Sequence, residues 1–234
     1  MMLSLDEVES GYGDSLVLKG VTLTVAAGQV TALLGRNGMG KSTLMKTIMG
    51  LLPVKRGIIG FDGAPINGLR PDQISNRGIA FVPQGREIFM EFTVEENLLL
   101  GTLGKPGTAG WIPDLVFEHF PILHERKKQI AGTMSGGQQQ QLAIGRALAG
   151  RPKMLLLDEP SEGIQPSIVE QIAATLKAIA EREQLTILLV EQNVEMVLDM
   201  AGTCAFIENG RIVATHATQA LRDDDRLIHR YLGL

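Results

Sequence analysis

Few stretches restrict a fold as tightly as Val30-Thr31-Ala32-Leu33-Leu34-Gly35-Arg36-Asn37-Gly38-Met39-Gly40-Lys41-Ser42-Thr43-Leu44. An apolar run of strand type stops at Gly35, three glycines bracket a tight loop, and Lys41-Ser42-Thr43 opens a segment with helical spacing. The spacing G-x-x-x-x-G-K-S between a strand and a helix is that of a loop that cradles phosphates. Glycines let backbone N–H groups turn inward onto phosphate oxygens, and the helix N-terminus adds partial positive charge. Lys41 offers a point charge to β- and γ-phosphates, and the Ser42 hydroxyl is of the type that ligates Mg²⁺. The plainer alternative is a glycine-rich turn before an ordinary helix.

A chain of 234 residues has room for one large domain, or for a core with a subdomain. No apolar run approaches the roughly 18–20 residues that span a bilayer. The start, Met1-Met2-Leu3-Ser4-Leu5-Asp6-Glu7, lacks the charged-then-apolar pattern of a signal peptide. The one cysteine, Cys204, fits a reducing compartment and a buried free thiol. A net charge of −4 argues against binding driven by nucleic-acid phosphates. These features together predict a soluble cytoplasmic protein with no nucleic-acid partner.

Along the chain, Leu3–Ser10, Val21–Val25 and Val30–Leu34 read as strands, with Tyr12 exposed on the turn Gly11-Tyr12-Gly13. Leu44, Ile48 and Leu51-Leu52 mark the apolar face of a helix that ends near Gly50 and Pro53. Ile58–Phe61 and Ile79–Val82 are further strands, the first closed by the Asp62-Gly63 turn. From Gly85 to Arg151 the texture turns helical. Val94–Leu100 and Asp114–Phe120 are candidate helices on either side of a loop of little order, Gly104-Lys105-Pro106-Gly107. Met154–Leu157 and Thr186–Val190 are buried strands followed by helices from about Pro166 and Asn193. Cys204–Glu208 and Arg211–Thr215 form a hairpin around Asn209-Gly210, and Gln219–Leu234 reads as one amphipathic docked helix. Strands alternating with helices predict the α/β class, as one domain over 1–234: a core of residues 1–84 and 152–234 carrying a helical insertion over 85–151.

Three further groups bear on chemistry. Leu155-Leu156-Leu157-Asp158-Glu159 is an apolar strand delivering Asp158 to the second shell of Mg²⁺, with Glu159 placed to orient or deprotonate a water. Gln84, after the strand Ile79–Val82, is able to touch metal and lytic water, though spacing alone leaves it equally a polar loop residue. Met134-Ser135-Gly136-Gly137-Gln138-Gln139-Gln140-Gln141 opens a helix on Ser-Gly-Gly. That start is a second anion-binding geometry, or simply a serine-capped helix.

At these last residues the chain resembles the ATP-binding-cassette ATPases, whose signature is a Ser-Gly-Gly-Gln helix start. The likeness runs from Leu3 to about Leu232 with every major motif in order. It implies a P-loop ATPase core of mixed, mostly parallel sheet, with an N-terminal antiparallel part and an inserted helical subdomain. It also implies ATP and Mg²⁺ as ligands, two such domains sandwiching two ATP molecules head to tail, and transmembrane permease subunits as partners. Residues Gly35 to Thr43 would hold the phosphates and Tyr12 would stack on adenine. Ser42 and Gln84 would serve Mg²⁺ with Asp158 behind them, and Glu159 would serve the attacking water. Ser135, Gly136, Gly137 and Gln138 would complete the partner's site in trans. The protein would sit at the cytoplasmic face of the membrane, engaging an external solute-binding protein only indirectly.

Two positions depart from the family pattern. Val190-Glu191-Gln192-Asn193 places Gln192 where a histidine is usual, and glutamine carries no proton at neutral pH. Gln165 stands where an aspartate is common. Both departures, with the Val82–Phe89 stretch, resemble the second ATPase of hydrophobic amino-acid uptake systems, a group that includes importers of urea and short amides. Gly132-Thr133-Met134 and Tyr231-Leu232-Gly233 lean to amino acids, whereas Gly85–Phe89, Gln138 to Gln141 and Gly163-Ile164-Gln165 lean to urea. The expectation is a branched-chain amino-acid importer ATPase paired with a related ATPase that keeps the histidine. The same role in a urea or amide importer is the alternative. A cassette acting on DNA or ribosomes would call for a coiled-coil insertion, a second cassette or a basic face, and none is visible. A regulatory nucleotide-binding module without turnover is the remaining class.

Overall fold

Alternation of apolar and polar residues makes an antiparallel sheet of the first quarter of the chain. In the computed structural model, which describes residues 1–104 and 110–232 (without the side chains of Asp225 and Leu232), β1 (Leu3–Tyr12) and β2 (Ser15–Val25) form one long hairpin. Tyr12 therefore ends a strand at the hairpin tip instead of sitting on a turn between separate strands. β4 (Val54–Phe61) and the short β5 (Ala64–Pro65) extend this sheet in the order β2-β1-β4-β5.

The central strands of the second sheet are buried on both faces, as parallel strands covered by helices must be. β3 (Val30–Leu34), β7 (Met154–Asp158) and β8 (Thr186–Glu191) are buried at every residue. With β6 (Ile79–Val82), β9 (Thr203–Glu208) and β10 (Arg211–Ala217), the order is β10-β9-β3-β8-β7-β6. Only the β9–β10 pair is antiparallel. Both sheets contribute to one apolar cluster around Leu33, Leu44, Ile59 and Phe61.

Helix α1 (Lys41–Ile48) follows β3 and stops earlier than its apolar pattern predicts. Gly50 takes φ 70 and Leu51 is exposed, so Leu51-Leu52 belong to a loop and not to the helix face. A short α2 (Pro71–Asn76) precedes β6. Between β6 and β7 the elements among the described residues are helical: α3 (Val94–Leu100), α4 (Asp114–His119), α5 (Pro121–Glu125), a 3₁₀ turn (Ala131–Thr133) and α6 (Gly136–Ala149). These helices share a second apolar cluster with α7 (Pro166–Glu183), α8 (Val194–Met200) and the other face of the parallel sheet.

The tail differs from the single helix predicted for it. α9 (Thr218–Asp223) and α10 (Asp225–Leu232) are separated by extended backbone at Asp224. Docking itself holds, because the Tyr231 ring stacks 4.5 Å from Phe206 of β9. Residues 105–107 of the predicted loop, and Gly233 and Leu234 of the predicted tail helix, lie outside the described residues. No helix among the described residues is long and apolar enough to cross a membrane. Cys204 is buried and unpaired, as its sequence context predicts.

Candidate functional site

Strands β3, β8, β7 and β6 are adjacent and parallel, so their carboxyl ends open on one edge of the sheet. In an α/β sheet that edge is where ligands bind. The register decides which residues meet there. Leu34 pairs with Glu191, Asp158 with Val190, and Val82 with Leu157. Continued past the strand ends, this register sets Gly35 beside Gln192 and flanks Glu159 with Gln84 on one side and Glu191-Gln192 on the other.

The loop from Gly35 to Thr43 is shaped by its glycines. A Cβ on Gly35 would lie 2.5 Å from the Ile207 carbonyl oxygen, so the loop passes β9 too closely for any other residue. Gly40 sits at φ 105, a conformation that side chains disfavour, and no side chain caps α1. The helix's first turn is also free of acidic residues. Its N–H groups and dipole are thus available to an anion.

Lys41 is nearly buried, and its Nζ donates to the Gly35 carbonyl at 2.8 Å and the Arg36 carbonyl at 3.2 Å. It also lies 3.6 Å from Glu159 Oε1, with side chains only 4% and 11% exposed. Glu159 is the centre of the site. Its backbone takes φ 50, which is costly for a non-glycine residue, and its N–H donates to Val190 O at 2.8 Å. Oε1 accepts from Gln192 Nε2 at 2.8 Å and Oε2 accepts from Gln84 Nε2 at 3.4 Å. Gln84 Nε2 donates to Glu162 Oε2 as well, at 3.0 Å.

Asp158 is buried behind this group, and its Oδ1 accepts from Ser42 Oγ at 3.2 Å. Burial pushes its carboxyl above the usual carboxylate range. The Ser42 hydrogen bond and the charges of Lys41 and Lys46 pull it back, and Glu159 adds to the rise.

Lys41, Ser42, Gln84, Glu159 and Gln192 share a cleft of about 480 Å³ with Asn37, Gly38, Gly40 and Thr43. Val17 and Glu162 complete its wall, and neither stands out in the sequence as a site residue. Gly35 and three other residues predicted to bind ATP lie off the wall. Arg36 is exposed and contributes a carbonyl to Lys41, Met39 is partly buried against the core, and Tyr12 stands half-exposed at the hairpin tip.

The Ser-Gly-Gly-Gln group is not brought to this cleft. Ser135 caps α6, its Oγ accepting from Gln138 N at 3.4 Å while Gln138 Oε1 accepts from Ser135 N at 3.1 Å. Gly136 lies instead against Arg86, which donates to Glu162 O at 3.1 Å and Gln139 Oε1 at 3.3 Å.

Among the described residues, no cluster of three or more His, Cys, Asp or Glu is arranged to hold a metal. What the cleft offers is a hydroxyl backed by one carboxylate, plus the Gln84 side-chain oxygen. Mg²⁺ is bound in this way, through few protein oxygens together with substrate phosphates. The arrangement as a whole suits phosphoryl transfer to water: an anion cradle, a cation at its rim and a carboxylate held by hydrogen bonds.

Known proteins agree with this chemistry. The model of the ABC transporter family matches residues 18–162. The chain is 44% identical over 233 residues to the high-affinity branched-chain amino acid transport ATP-binding protein BraG of Pseudomonas aeruginosa, covering 99% of this chain and 100% of that one. It is 34% identical over 235 residues to the probable branched-chain amino acid transport ATP-binding protein LivF of Archaeoglobus fulgidus, covering 100% and 99%. A crystal structure of the ADP conformation of an ATP-binding cassette from an ABC transporter superposes with a TM-score of 0.83 at 29% identity, over 100% of this chain and 99% of that one. The chain is therefore an ATPase, and it belongs to the ABC transporter family.

Proposed function

We propose that this ATPase powers a branched-chain amino-acid importer, with Glu159 as the base that activates the attacking water. The observation that carries the site reading is the convergence on one carboxylate of Lys41 from the start of α1 with Gln84 and Gln192 from just past the ends of β6 and β8. The strained backbone of Glu159 supports it, because strain of this kind is retained where function demands the geometry. Full-length likeness to BraG and LivF, both named for branched-chain amino acids, favours that substrate class over urea or short amides.

In this reading the γ-phosphate takes the place of Glu159 at Lys41 Nζ, and the carboxylate turns to the water. Ser42 Oγ and the Gln84 side-chain oxygen would hold Mg²⁺, with Asp158 orienting the serine hydroxyl. The ion would neutralise charge developing on the β- and γ-phosphate oxygens. Glu159 takes the proton of the attacking water, while Gln192, unable to accept that proton, holds the carboxylate by donating from Nε2. Tyr12 would meet the adenine.

Ser135, Gly136, Gly137 and Gln138 would face the nucleotide of a second ATPase subunit, a reading supported by their position away from this chain's own cleft. That subunit would retain the histidine that Gln192 replaces. The exposed Phe89, Met90 and Phe92, at the start of the 85–151 insertion, suit contact with the membrane subunits at the cytoplasmic face.

The test is reconstitution of the chain with its membrane partners and solute-binding protein in vesicles, following uptake of labelled leucine and urea. ATP-dependent leucine uptake is expected. Urea uptake alone would overturn the substrate class, and turnover indifferent to the membrane subunits would overturn the transport role.

A further inference from the structure

Glu191 closes β8 and is 1% exposed, yet it does not line the nucleotide cleft. Its carboxylate accepts three backbone hydrogen bonds. Oε1 takes the N–H of Ser161 at 2.8 Å, and Oε2 takes those of Gln192 at 2.9 Å and Asn193 at 3.0 Å. Ser161 lies two residues beyond Glu159, and Gln192 is the residue whose side chain holds Glu159. One buried carboxylate thus joins the loop after β7 to the loop after β8, directly beneath the point where the two meet.

Burying a carboxylate is costly unless its oxygens are fully engaged. An apolar residue would fill the strand end without that cost, but it would leave three N–H groups to find partners elsewhere. Glutamine is no substitute, since its amide group sets a donor against one of the two loops. The residue therefore suits a task in which both loops must be gripped at once.

We infer that Glu191 is a positioning residue for ATP hydrolysis, clasping the Glu159 and Gln192 loops so that the carboxylate and the amide keep their mutual geometry. The inference rests on the reading of Glu159 and Gln192 given above. It makes the hydrolytic step, and not ATP binding, the property that depends on Glu191. The phosphate loop that holds ATP is attached to β3 and α1 and receives none of the three hydrogen bonds.

The experiment is steady-state hydrolysis of Mg·ATP by the complete chain carrying Glu191→Gln, Gln192→Ala, both changes, or Glu159→Gln. A small misplacement of a reacting group costs up to about a hundredfold in rate. Glu191→Gln is accordingly expected to lower kcat by about tenfold to a hundredfold while KM for ATP stays within about twofold. The double variant should be little worse than the slower single variant, because both changes release the same contact. An unchanged kcat, a KM that rises in step with the loss, or losses that multiply would overturn the inference. Normal turnover by Glu159→Gln would remove the site reading and this inference with it. A stalled Glu159→Gln beside a fully active Glu191→Gln would remove this inference alone. Amide hydrogen exchange in the unsubstituted chain gives a second measurement that does not depend on how the variants fold. The N–H groups of Ser161, Gln192 and Asn193 should be protected together, and exchange of Gln192 as fast as that of surface loops would refute the clasp.

Discussion

Replacing Glu159 with glutamine separates its two proposed roles in opposite directions. As the base, Glu159 should be worth about 10²–10⁴-fold in kcat, or about 2.7–5.4 kcal/mol of barrier. As the neighbour of Lys41 it should instead oppose ATP, because its charge occupies the cation that the γ-phosphate needs. At 3.6 Å, with both side chains largely shielded from solvent, the gross attraction is about 4–5 kcal/mol at an effective dielectric of 20. Even a fifth of that, about 1 kcal/mol, would tighten ATP about fivefold once the charge is gone.

Glutamine is isosteric and keeps an acceptor for Gln192 Nε2, so the cleft keeps its shape. The assay pairs steady-state phosphate release with equilibrium binding of ATP. The variant should lose turnover by at least a hundredfold while its Kd for ATP tightens. A kcat within about threefold of the unsubstituted chain would refute the base assignment, since no positioning effect replaces a lost proton acceptor. A Kd weakened as much as kcat would mean that Glu159 builds the pocket and does no chemistry.

Two further outcomes test the packing and the titration behaviour. Gly101 follows α3, and a Cβ there would lie 1.9 Å from the Arg146 carbonyl oxygen in α6, a contact between backbones that no rotamer relieves. Gly101→Ala should cost about 2–3 kcal/mol in chemical denaturation, and a loss well under 1 kcal/mol would show that the two helices are not held in contact. Among the described residues, His119 Nε2 is buried without a hydrogen-bond partner. Burial first, then the Arg182 charge, hold its imidazole below the ordinary value of 6.5, with Glu183 and Glu118 pulling the other way. The unfolded chain therefore binds the proton more readily. Stability should be full above about pH 6.5 and fall as pH drops toward the folded value. Between pH 7.5 and 5.5 the unfolding temperature should drop less for His119→Phe than for the unsubstituted chain, and equal drops would refute the assignment.

How legible the fold was depended on how local each signal is. The strands of the parallel sheet announce themselves as unbroken apolar runs bounded by glycine, proline or acid, because both of their faces are covered. Elements governed by contacts far away in sequence were harder to see. Residues 11–20 alternate too weakly to read as strand, and they are held by pairing along the hairpin and by Lys19 N donating to Gly210 O of the β9–β10 turn. α2 and α5 are single turns begun by Pro71 and Pro121, too short to carry a period. The break at Asp224 falls in a tail whose amphipathic pattern runs on across it. The Asp224 carboxylate binds Arg226 N and the Arg226 guanidinium, a local alternative to helical bonding that aspartate offers readily.

The site divides along the same line. Gly35 to Thr43 and Asp158-Glu159 stand out as candidates in the sequence because phosphate and metal chemistry dictate residue types at fixed short spacings. That Gln84 and Gln192 both reach Glu159 depends on the register of β6, β7 and β8, and strands with no alternation leave register unmarked. Glu191 was the least visible of all. A charged residue after Thr186–Val190 looks like the point where a buried strand gives way to solvent, so the apolar pattern excludes it. The structure extends β8 through Glu191 and turns its carboxylate inward, where three N–H groups from two loops require an acceptor. The demand for that carboxylate arises from loops that come together only in the folded chain, about 30 residues apart in sequence, and no rule of composition or periodicity records it.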